Sequence, residues 1–368
     1  MKIAADRNIL FAEEAFSTIG DVKLFDWDEI TNKSVRDFDV LIIRSATKVD
    51  EKLLFGAKIK FVGSAVTGSD HIDADCLEKN GVGFASASGC NSRSVAEYVL
   101  TAVYAFCEKK RLSLKNMTVG IIGTGSIGGL VALILKNLGV NTILNDPILE
   151  NKGINGFSSL DYLAQNSDIV TVHVPLTIYG EYKTENLLDD KFFKNLKRGA
   201  LLIQTSRGAV CDESALLKIS NSVIDVWANE PNINVELAKN SIFHTPHIAG
   251  HSFDGKINGT KIIYEKCCSY FFQTPKFDFE NARFTKTERR IIEYKDKICD
   301  ILLECCPIGD DSRDFERIFG EENAAERKAI FNNLRKNYRK RLEFSHYTIK
   351  NASEKAVEEL KILGFNIG

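Results

Sequence analysis

A glycine-rich stretch that joins an apolar segment to a helical pattern constrains this sequence more than any other feature. The apolar residues 118–122 predict a strand, and Gly123, Gly125 and Gly128 follow it at G-x-G-x-x-G spacing. Glycine permits a tight turn and a close backbone approach, so this spacing lets a pyrophosphate rest against the N-terminus of the next helix. The strand, turn and helix together predict a dinucleotide-binding βαβ unit.

The residue that ends this unit indicates which dinucleotide binds. A second short apolar strand ends at Asp146. A carboxylate at this position accepts hydrogen bonds from the ribose hydroxyls of the adenosine, and it repels a 2′-phosphate. We therefore expect NAD rather than NADP as the cofactor.

Length and composition limit what the rest of the chain can be. With 368 residues, 44% of them hydrophobic and 27% charged, and a net charge of −2, two or three globular domains are expected. The charge balance argues against nucleic acid as a partner, and no apolar run of the sequence is long enough to cross a membrane. The charged N-terminus is unlike a signal peptide, which favours a cytoplasmic location. Nine cysteines without a C-x-x-C pair predict buried free thiols and no metal site.

The order of apolar strands and helical patterns predicts the fold class. Strands and helices alternate on both sides of the glycine motif, which is typical of parallel sheets covered by helices on both faces. We expect an α/β protein with two doubly wound parallel-sheet (Rossmann/flavodoxin-like) domains and a small C-terminal α+β domain. The predicted boundaries are 1–92 with 256–280 for a discontinuous substrate-binding domain, 93–255 for the NAD-binding domain and 281–368 for the third.

Four polar residues follow predicted strands, where an open α/β sheet binds its ligands. Arg207, Glu230 and His247 form the set needed to oxidise a secondary alcohol. The histidine accepts the hydroxyl proton, the glutamate holds its imidazole in one tautomer, and the arginine binds a substrate carboxylate. Asp225, at the end of another strand, is placed to hydrogen-bond the nicotinamide amide. These residues predict a dehydrogenase of 2-hydroxy acids.

The same motifs carry a family resemblance. The glycine motif, Thr205-Ser-Arg-Gly, Asp225-x-Trp-x-x-Glu-Pro and Pro246-His-Ile-Ala-Gly resemble the D-isomer-specific 2-hydroxyacid dehydrogenases. Further motifs are similar to one branch of that family, whose members oxidise a phosphorylated acid; they are Arg44-Ser-x-Thr-Lys-Val49, Lys60-Phe-Val-Gly63, Gly89-Cys-Asn91, Gly180-x-Tyr-Lys-Thr184, Gly255-Lys-x-x-Gly-Thr260 and Leu334-Arg-Lys-Asn-Tyr-x-x-Arg341. The resemblance implies NAD-linked oxidation of a phosphorylated 2-hydroxy acid by a homodimer that is joined partly through its C-terminal domain.

The resemblance also implies a complete set of site residues. Arg207, Glu230 and His247 are the expected catalytic residues, and Ser45, Thr67 and His251 are expected to face the substrate. Where the family has a threonine beside Thr67 this chain has Val66, and it has His251 where a tyrosine is common. The expected cofactor-binding residues are Gly123, Gly125, Ser126, Ile127, Gly128, Asp146, Val174, Thr205, Ser206, Arg207, Asp225 and Gly250.

Two alternatives remain open at this point. The substrate could be another 2-hydroxy acid, such as 3-phosphoglycerate or hydroxypyruvate, or the chain could be an NAD-sensing binding scaffold of the same fold. The basic run Arg335–Arg341 is interpreted as a solvated helix face. The second interpretation is that it reaches the active site of a partner subunit and meets the substrate phosphate.

Overall fold

The computed structural model describes residues 1–287 and 289–368. The strands, numbered along the chain, are β1 (Lys2–Asp6), β2 (Asp21–Phe25), β3 (Val40–Ile43), β4 (Phe61–Ser64), β5 (Gly83–Ser86), β6 (Thr118–Ile122), β7 (Asn141–Asn145), β8 (Ile169–Val172), β9 (Leu201–Gln204), β10 (Ser222–Ile224), β11 (Phe243–His244), β12 (Arg290–Glu293), β13 (Tyr347–Lys350) and β14 (Asn366–Ile367). The α-helices are α1 (Ala12–Phe16), α2 (Asn32–Val35), α3 (Glu51–Leu54), α4 (Ala74–Lys79), α5 (Ser92–Lys110), α6 (Ser126–Asn137), α7 (Pro147–Asn151), α8 (Leu160–Asn166), α9 (Asp190–Asn195), α10 (Glu213–Leu216), α11 (Val235–Asn240), α12 (Phe253–Tyr270), α13 (Phe279–Lys286), α14 (Ile298–Cys305), α15 (Ile308–Phe315), α16 (Ala324–Lys336) and α17 (Glu354–Leu363).

The chain divides into two compact units. The first unit comprises Met1–Asn91 and Ser252–Glu288, and the second comprises Ser92–His251 and Arg289–Gly368. The chain from Arg289 onward is grouped with most of the predicted NAD-binding domain, and the boundaries predicted for a third domain at 281–368 stay a prediction. Residue 288, within that predicted domain, lies outside the described residues.

The first unit is built around a five-stranded parallel sheet in the order β2-β1-β3-β4-β5. The apolar strands β1, β3 and β4 are buried almost throughout, as continuous apolar runs of a parallel sheet predict. Helix α12 returns from the far end of the unit and packs closely against β4 and β5. A side chain at Gly63 would overlap Ile263, and one at Gly83 would overlap the ring of Tyr270.

The second unit contains a six-stranded parallel sheet in the order β11-β10-β9-β8-β6-β7. Because all six strands are parallel, their carboxyl ends lie along one edge of the sheet. The glycine motif, Asp146, Arg207 and His247 all follow strand ends on that edge. A smaller parallel sheet in the order β12-β13-β14 belongs to the same unit.

The C-terminal segment completes the core of the large sheet. Phe315, Ile318 and Phe331 are fully buried in the same apolar cluster as Val172, Leu202 and Ile224 of the sheet. The indole of Trp227 stacks on Phe315, with ring centroids 5.5 Å apart. The energy of this apolar burial is therefore shared between the C-terminal segment and the sheet.

All nine cysteines are buried and free, as the sequence predicted. In the part of the chain that the structure describes, no helix is both long and apolar enough to span a membrane. Among the same residues, no cluster of three or more histidine, cysteine, aspartate or glutamate side chains is arranged to hold a metal ion.

Candidate active site

The glycine loop is shaped for a group that approaches the backbone at the N-terminus of α6. Gly123 has a φ of +81°, and a Cβ atom there would lie 2.8 Å from the carbonyl oxygen of His173. A Cβ atom at Gly128 would lie 1.9 Å from the carbonyl oxygen of Gly123, so only glycine lets α6 begin this close to β6. At Gly125, in contrast, a Cβ atom would meet no protein atom within 4 Å. This open space beside the N–H groups of Ser126 and Ile127 fits a pyrophosphate.

Asp146 holds the glycine loop in place from the end of β7. Its Oδ2 accepts hydrogen bonds from the N–H (2.9 Å) and the hydroxyl (3.1 Å) of Thr124. Its Oδ1 accepts from the N–H of Leu149 at 3.1 Å and so caps α7. The carboxylate is thus fixed beside the dinucleotide loop, which is where ribose recognition requires it. Val174 lies on the other side of the loop, and its side chain is packed against Gly123.

A glutamine that the sequence analysis did not single out organises the turn before Arg207. The Oε1 of Gln204, the last residue of β9, accepts hydrogen bonds from the N–H and hydroxyl of Ser206 at 3.2 and 2.8 Å. Its Nε2 donates to the carbonyl of Arg207 at 3.0 Å. The next residue, Gly208, touches the backbone of Trp227, where a Cβ atom would lie 1.9 Å from the carbonyl carbon. This turn leaves Thr205 buried and Arg207 half-buried at the carboxyl edge of the sheet.

The structure brings His247 and Glu230 together, as predicted. The Nδ1 of His247 lies 2.8 Å from the Oε2 of Glu230, and the Oε1 of Glu230 accepts from the N–H of Trp227 at 2.9 Å. Because a carboxylate only accepts hydrogen bonds, Nδ1 carries the proton and Nε2 is left as the basic nitrogen. Burial acts to raise the pKa of Glu230, but the hydrogen bond and charge of His247 outweigh it and hold that pKa below its usual value. Glu230 is therefore ionised and orients the imidazole.

Asp225 fixes the loop that carries His247. Its Oδ1 accepts from the hydroxyl of Thr245 and the N–H of Ile248, both at 2.7 Å, and its Oδ2 accepts from the N–H of Ala249 at 2.9 Å. The carboxyl group is buried, and this burial raises its pKa against the effect of His247 and the three donors. Its described hydrogen bonds are thus to the protein, and the predicted contact with the nicotinamide amide stays a prediction. Gly250 follows directly in the same loop.

The C-terminal segment packs behind this loop. A pocket of about 250 Å³ opens beside Pro246 and is lined by Asp311, Tyr338 and Arg339 among others. The ring of His251, expected to face the substrate, lies edge-on to Tyr338 with centroids 6.1 Å apart. Burial raises the pKa of Asp311 to about 6, although the charge of Arg339 and the hydroxyl of Tyr338 oppose this shift.

The interpretation of Arg335–Arg341 as a solvated helix face holds only in part, because Lys336, Asn337, Arg339 and Lys340 are exposed but most of the run lies beyond the helix and Arg341 is buried. Helix α16 ends at Lys336, and the side chain of Arg341 is buried among polar groups of its own unit. Arg339 forms an ion pair with Asp311 at 3.0 Å. Arg335 lies close enough to Glu230 for its charge to lower the pKa of that carboxyl. A run of basic and polar residues does not indicate which tertiary contacts its side chains make, so these contacts could not be predicted from the sequence.

The predicted substrate residues of the first unit lie in two of its loops. Ser45 is exposed beside Arg44, whose guanidinium pairs with the buried carboxylate of Asp6 at 2.9 and 3.2 Å. The hydroxyl of Thr67 is half-buried and donates to the Oδ1 of Asn91 at 2.9 Å. The contact of Ser45 and Thr67 with a substrate stays a prediction.

The family comparisons agree with this geometry. Residues 98–249 match the family model described as D-isomer specific 2-hydroxyacid dehydrogenase, NAD binding domain. The NAD-bound 3-phosphoglycerate dehydrogenase of Entamoeba histolytica has the same fold, with a TM-score of 0.62 and 24% identity over 76% of this chain and 99% of that one. D-lactate dehydrogenase of Aquifex aeolicus gives a TM-score of 0.58 and 25% identity over 74% of this chain and 96% of its own. Fold and site together define an NAD-binding dehydrogenase of the D-2-hydroxyacid class.

Full-length relatives narrow this class. Erythronate-4-phosphate dehydrogenase of Wigglesworthia glossinidia brevipalpis is 41% identical over 100% of this chain and 98% of its own. The proteins of that name from Escherichia coli and Klebsiella pneumoniae are 38% and 36% identical, again over 100% of this chain and 98% of their own. The chain belongs to the erythronate-4-phosphate dehydrogenase family, which confirms the narrower resemblance that its sequence motifs indicated.

Proposed function

We propose that this protein oxidises 4-phospho-D-erythronate at C2, giving (R)-3-hydroxy-2-oxo-4-phosphooxybutanoate, NADH and a proton. The resemblance implies that this is a step of pyridoxal 5′-phosphate (vitamin B6) biosynthesis. The observation that carries the proposal is the 2.8 Å contact between His247 and Glu230 at the strand end, in a chain whose full-length relatives bear this name.

His247 acts as the general base. With Nδ1 bound to ionised Glu230, its Nε2 accepts the proton of the C2 hydroxyl, and the carboxylate stabilises the imidazolium that forms. The glycine loop and Asp146 would hold NAD, which when bound would supply the acceptor for the C2 hydride. Arg207 offers paired N–H donors to the substrate carboxylate and so orients C2.

The first unit offers positive charge for a phosphate. Lys256 lies near Arg44, and desolvation together with the charge of Arg44 lowers the pKa of Lys256. Although the carboxylate of Asp6 already balances the charge of Arg44, Lys256 beside it adds a second cation that a phosphate dianion can bind. Ser45, next to Arg44, adds a hydroxyl donor. These residues support a phosphorylated substrate over hydroxypyruvate.

We also propose that the partner is a second copy of the chain and that the protein acts in the cytoplasm. Strand β12 lies at the edge of the C-terminal sheet, and its Ile291 is 60% exposed. An exposed apolar side chain on an edge strand suits a protein interface. Nine buried free thiols suit a reducing compartment.

Spectroscopic measurement of NADH tests the substrate. The purified protein is mixed with 4-phospho-D-erythronate, then with 3-phosphoglycerate and other 2-hydroxy acids at equal concentration, each with and without 2-oxoglutarate. We expect an absorbance increase at the nicotinamide band with the phosphorylated C4 acid. Turnover that requires 2-oxoglutarate indicates a cofactor that is recycled while bound. If NAD is reduced only when another 2-hydroxy acid is added, that acid is the substrate.

Binding of NAD without turnover on any acid would favour the scaffold alternative instead. The His247–Glu230 pair argues against that outcome, because a pure sensor has no need of an oriented general base at the carboxyl edge of the sheet.

A further inference from the structure

A buried arginine from the C-terminal segment contacts the loop that carries His247. Arg341 is 3% exposed. Its Nη2 donates to the carbonyl oxygen of Ala249 and, at 3.1 Å, to that of Ser94, while its Nη1 donates to the Sγ of Cys306 at 3.3 Å. A single guanidinium therefore joins the loop to helix α5 and to the end of α14.

This contact completes the fixation of the loop. The N–H of Ala249 is bound by Asp225 at 2.9 Å, and its carbonyl is bound by Arg341, so the residue is held on both sides. Two residues earlier, His247 has a φ of +57°, a left-handed conformation that costs a non-glycine residue about 1 kcal/mol. The loop keeps this conformation only because surrounding contacts impose it.

We propose that Arg341 is a positioning residue for the oxidation, acting through Ala249 to hold the imidazole of His247 against Glu230. It lies 94 positions after the histidine in sequence but in direct contact with the histidine's loop. Loss of the Ala249 contact lets the left-handed backbone relax, which moves Nε2 of His247 away from the hydroxyl it deprotonates.

A purely structural link between α5 and the C-terminal segment is the competing explanation. A buried guanidinium is an unfavourable choice for such a link, because removing its charge from water costs free energy. Within the described part of the chain, its Nε is buried and has no hydrogen-bond partner. A well-packed apolar residue joins two elements at lower cost, whereas only a strong donor can hold a loop carbonyl.

The test compares a variant that disturbs the contact of Arg341 with Ala249 and a variant that removes only its contact with Cys306. Arg341→Lys keeps the charge but cannot reach Ala249, Ser94 and Cys306 at once. We expect its kcat to fall at least about tenfold, since an error of about 1 Å in a reacting group costs up to about 100-fold. Cys306→Ala is the matched control, because it removes the Nη1 contact and leaves the Ala249 contact. Its kcat is expected to stay within about twofold of the wild type.

The isotope effect separates positioning from loss of folded protein. With C2-deuterated substrate, slower chemistry in Arg341→Lys raises the deuterium isotope effect on kcat, whereas a reduced fraction of folded enzyme leaves it unchanged. The number of NAD molecules bound per chain at saturation reports the folded fraction of each variant. Cys306→Met keeps Arg341, but its larger side chain displaces the guanidinium from the carbonyl of Ala249. This variant is therefore also expected to raise the isotope effect.

The inference rests on the proposed function, and the wild-type protein separates the two. Absence of turnover with 4-phospho-D-erythronate in the wild type rejects the substrate, and the variants are then compared on whichever acid it oxidises. Wild-type turnover together with unchanged kcat and isotope effect in both Arg341→Lys and Cys306→Met overturns only the positioning role. An equal loss in Cys306→Ala also overturns it.

Discussion

His247 is held in a backbone conformation that few residues other than glycine adopt. Its φ of +57° is maintained by the N–H groups of the two residues that follow it, both of which donate hydrogen bonds to the carboxylate of Asp225. Strained residues of this kind persist where the surrounding structure imposes them, and they concentrate at functional sites. The strain thus fits the role of general base, because the imidazole is fixed before a substrate arrives.

Replacement of His247 tests this role directly. In His247→Ala the kcat is expected to fall at least about 100-fold, because the base that takes the hydroxyl proton is gone. The affinity for NAD should remain near that of the wild type, since the glycine loop and Asp146 are unchanged. Isothermal titration measures the affinity and NADH absorbance the rate.

His346→Ala is the control for the loss of a histidine, and it is expected to retain wild-type turnover. A His247→Ala protein with nearly full activity would remove the histidine from the mechanism and with it the assignment of the general base.

At the scale of single residues, the sequence predicted the site residues that lie after strand ends. It did not predict the residues that contact the site from distant positions in the chain. Arg207, Glu230 and His247 lie in the segments that follow β9, β10 and β11, so their position near the carboxyl edge could be inferred. Gln204 and Arg341 act through contacts that depend on the folded path of the backbone. No periodicity or motif marks those contacts.

The turn between β6 and α6 is the element whose sequence and geometry agree most closely. Each of its glycines meets a different demand, since Gly128 touches protein and Gly125 faces open space. Strands β2 and β5 have a much weaker sequence signal, because neither is a continuous apolar run. Gly83-Phe-Ala-Ser86 has one large apolar residue, and β5 is defined by its pairing with β4 and by Tyr270 rather than by its own composition.

Alanine at the two glycines separates protein packing from cofactor approach. Gly125→Ala is expected to keep the free energy of unfolding within about 0.5 kcal/mol, because no protein atom lies within reach of the new methyl group. Its NAD affinity should nevertheless fall at least about tenfold, since the methyl group occupies the space for the pyrophosphate.

Gly128→Ala should reduce both the free energy of unfolding and the affinity for NAD. The 1.9 Å overlap with the Gly123 carbonyl forces the backbone apart, which costs about 1–3 kcal/mol of stability. Urea unfolding without NAD and a titration with NAD measure the two quantities. Equal behaviour of the two variants would contradict the assignment of Gly125 to the pyrophosphate.

At the scale of the whole molecule, buried acids make stability depend on pH. Burial and the like charge of Glu343 raise the pKa of Glu97 to about 8, although Arg93 opposes this shift. In the unfolded chain the same carboxyl has its ordinary pKa of about 4.5. The folded state therefore binds the proton more tightly, and the free energy of unfolding falls as pH rises from about 4.5 to about 8.

Glu97→Gln is expected to remove this part of the pH dependence. The amide resembles the protonated carboxyl in shape, and its oxygen can still accept from the N–H of Phe344, which donates to Glu97 at 2.9 Å. Between pH 5 and 8 the wild type should lose stability on the order of a few kcal/mol more than the variant. Urea midpoints across this range provide the comparison. Parallel curves would show that Glu97 ionises normally in the folded protein.

The shared core of the second unit has a consequence for how the protein is made. Phe315, Ile318 and Phe331 cover apolar residues of a sheet whose strands lie between positions 118 and 244. A ribosome releases the sheet strands well before these three side chains. The growing chain therefore carries an uncovered apolar face through the synthesis of roughly its last third, a period in which chaperones must keep it from aggregating.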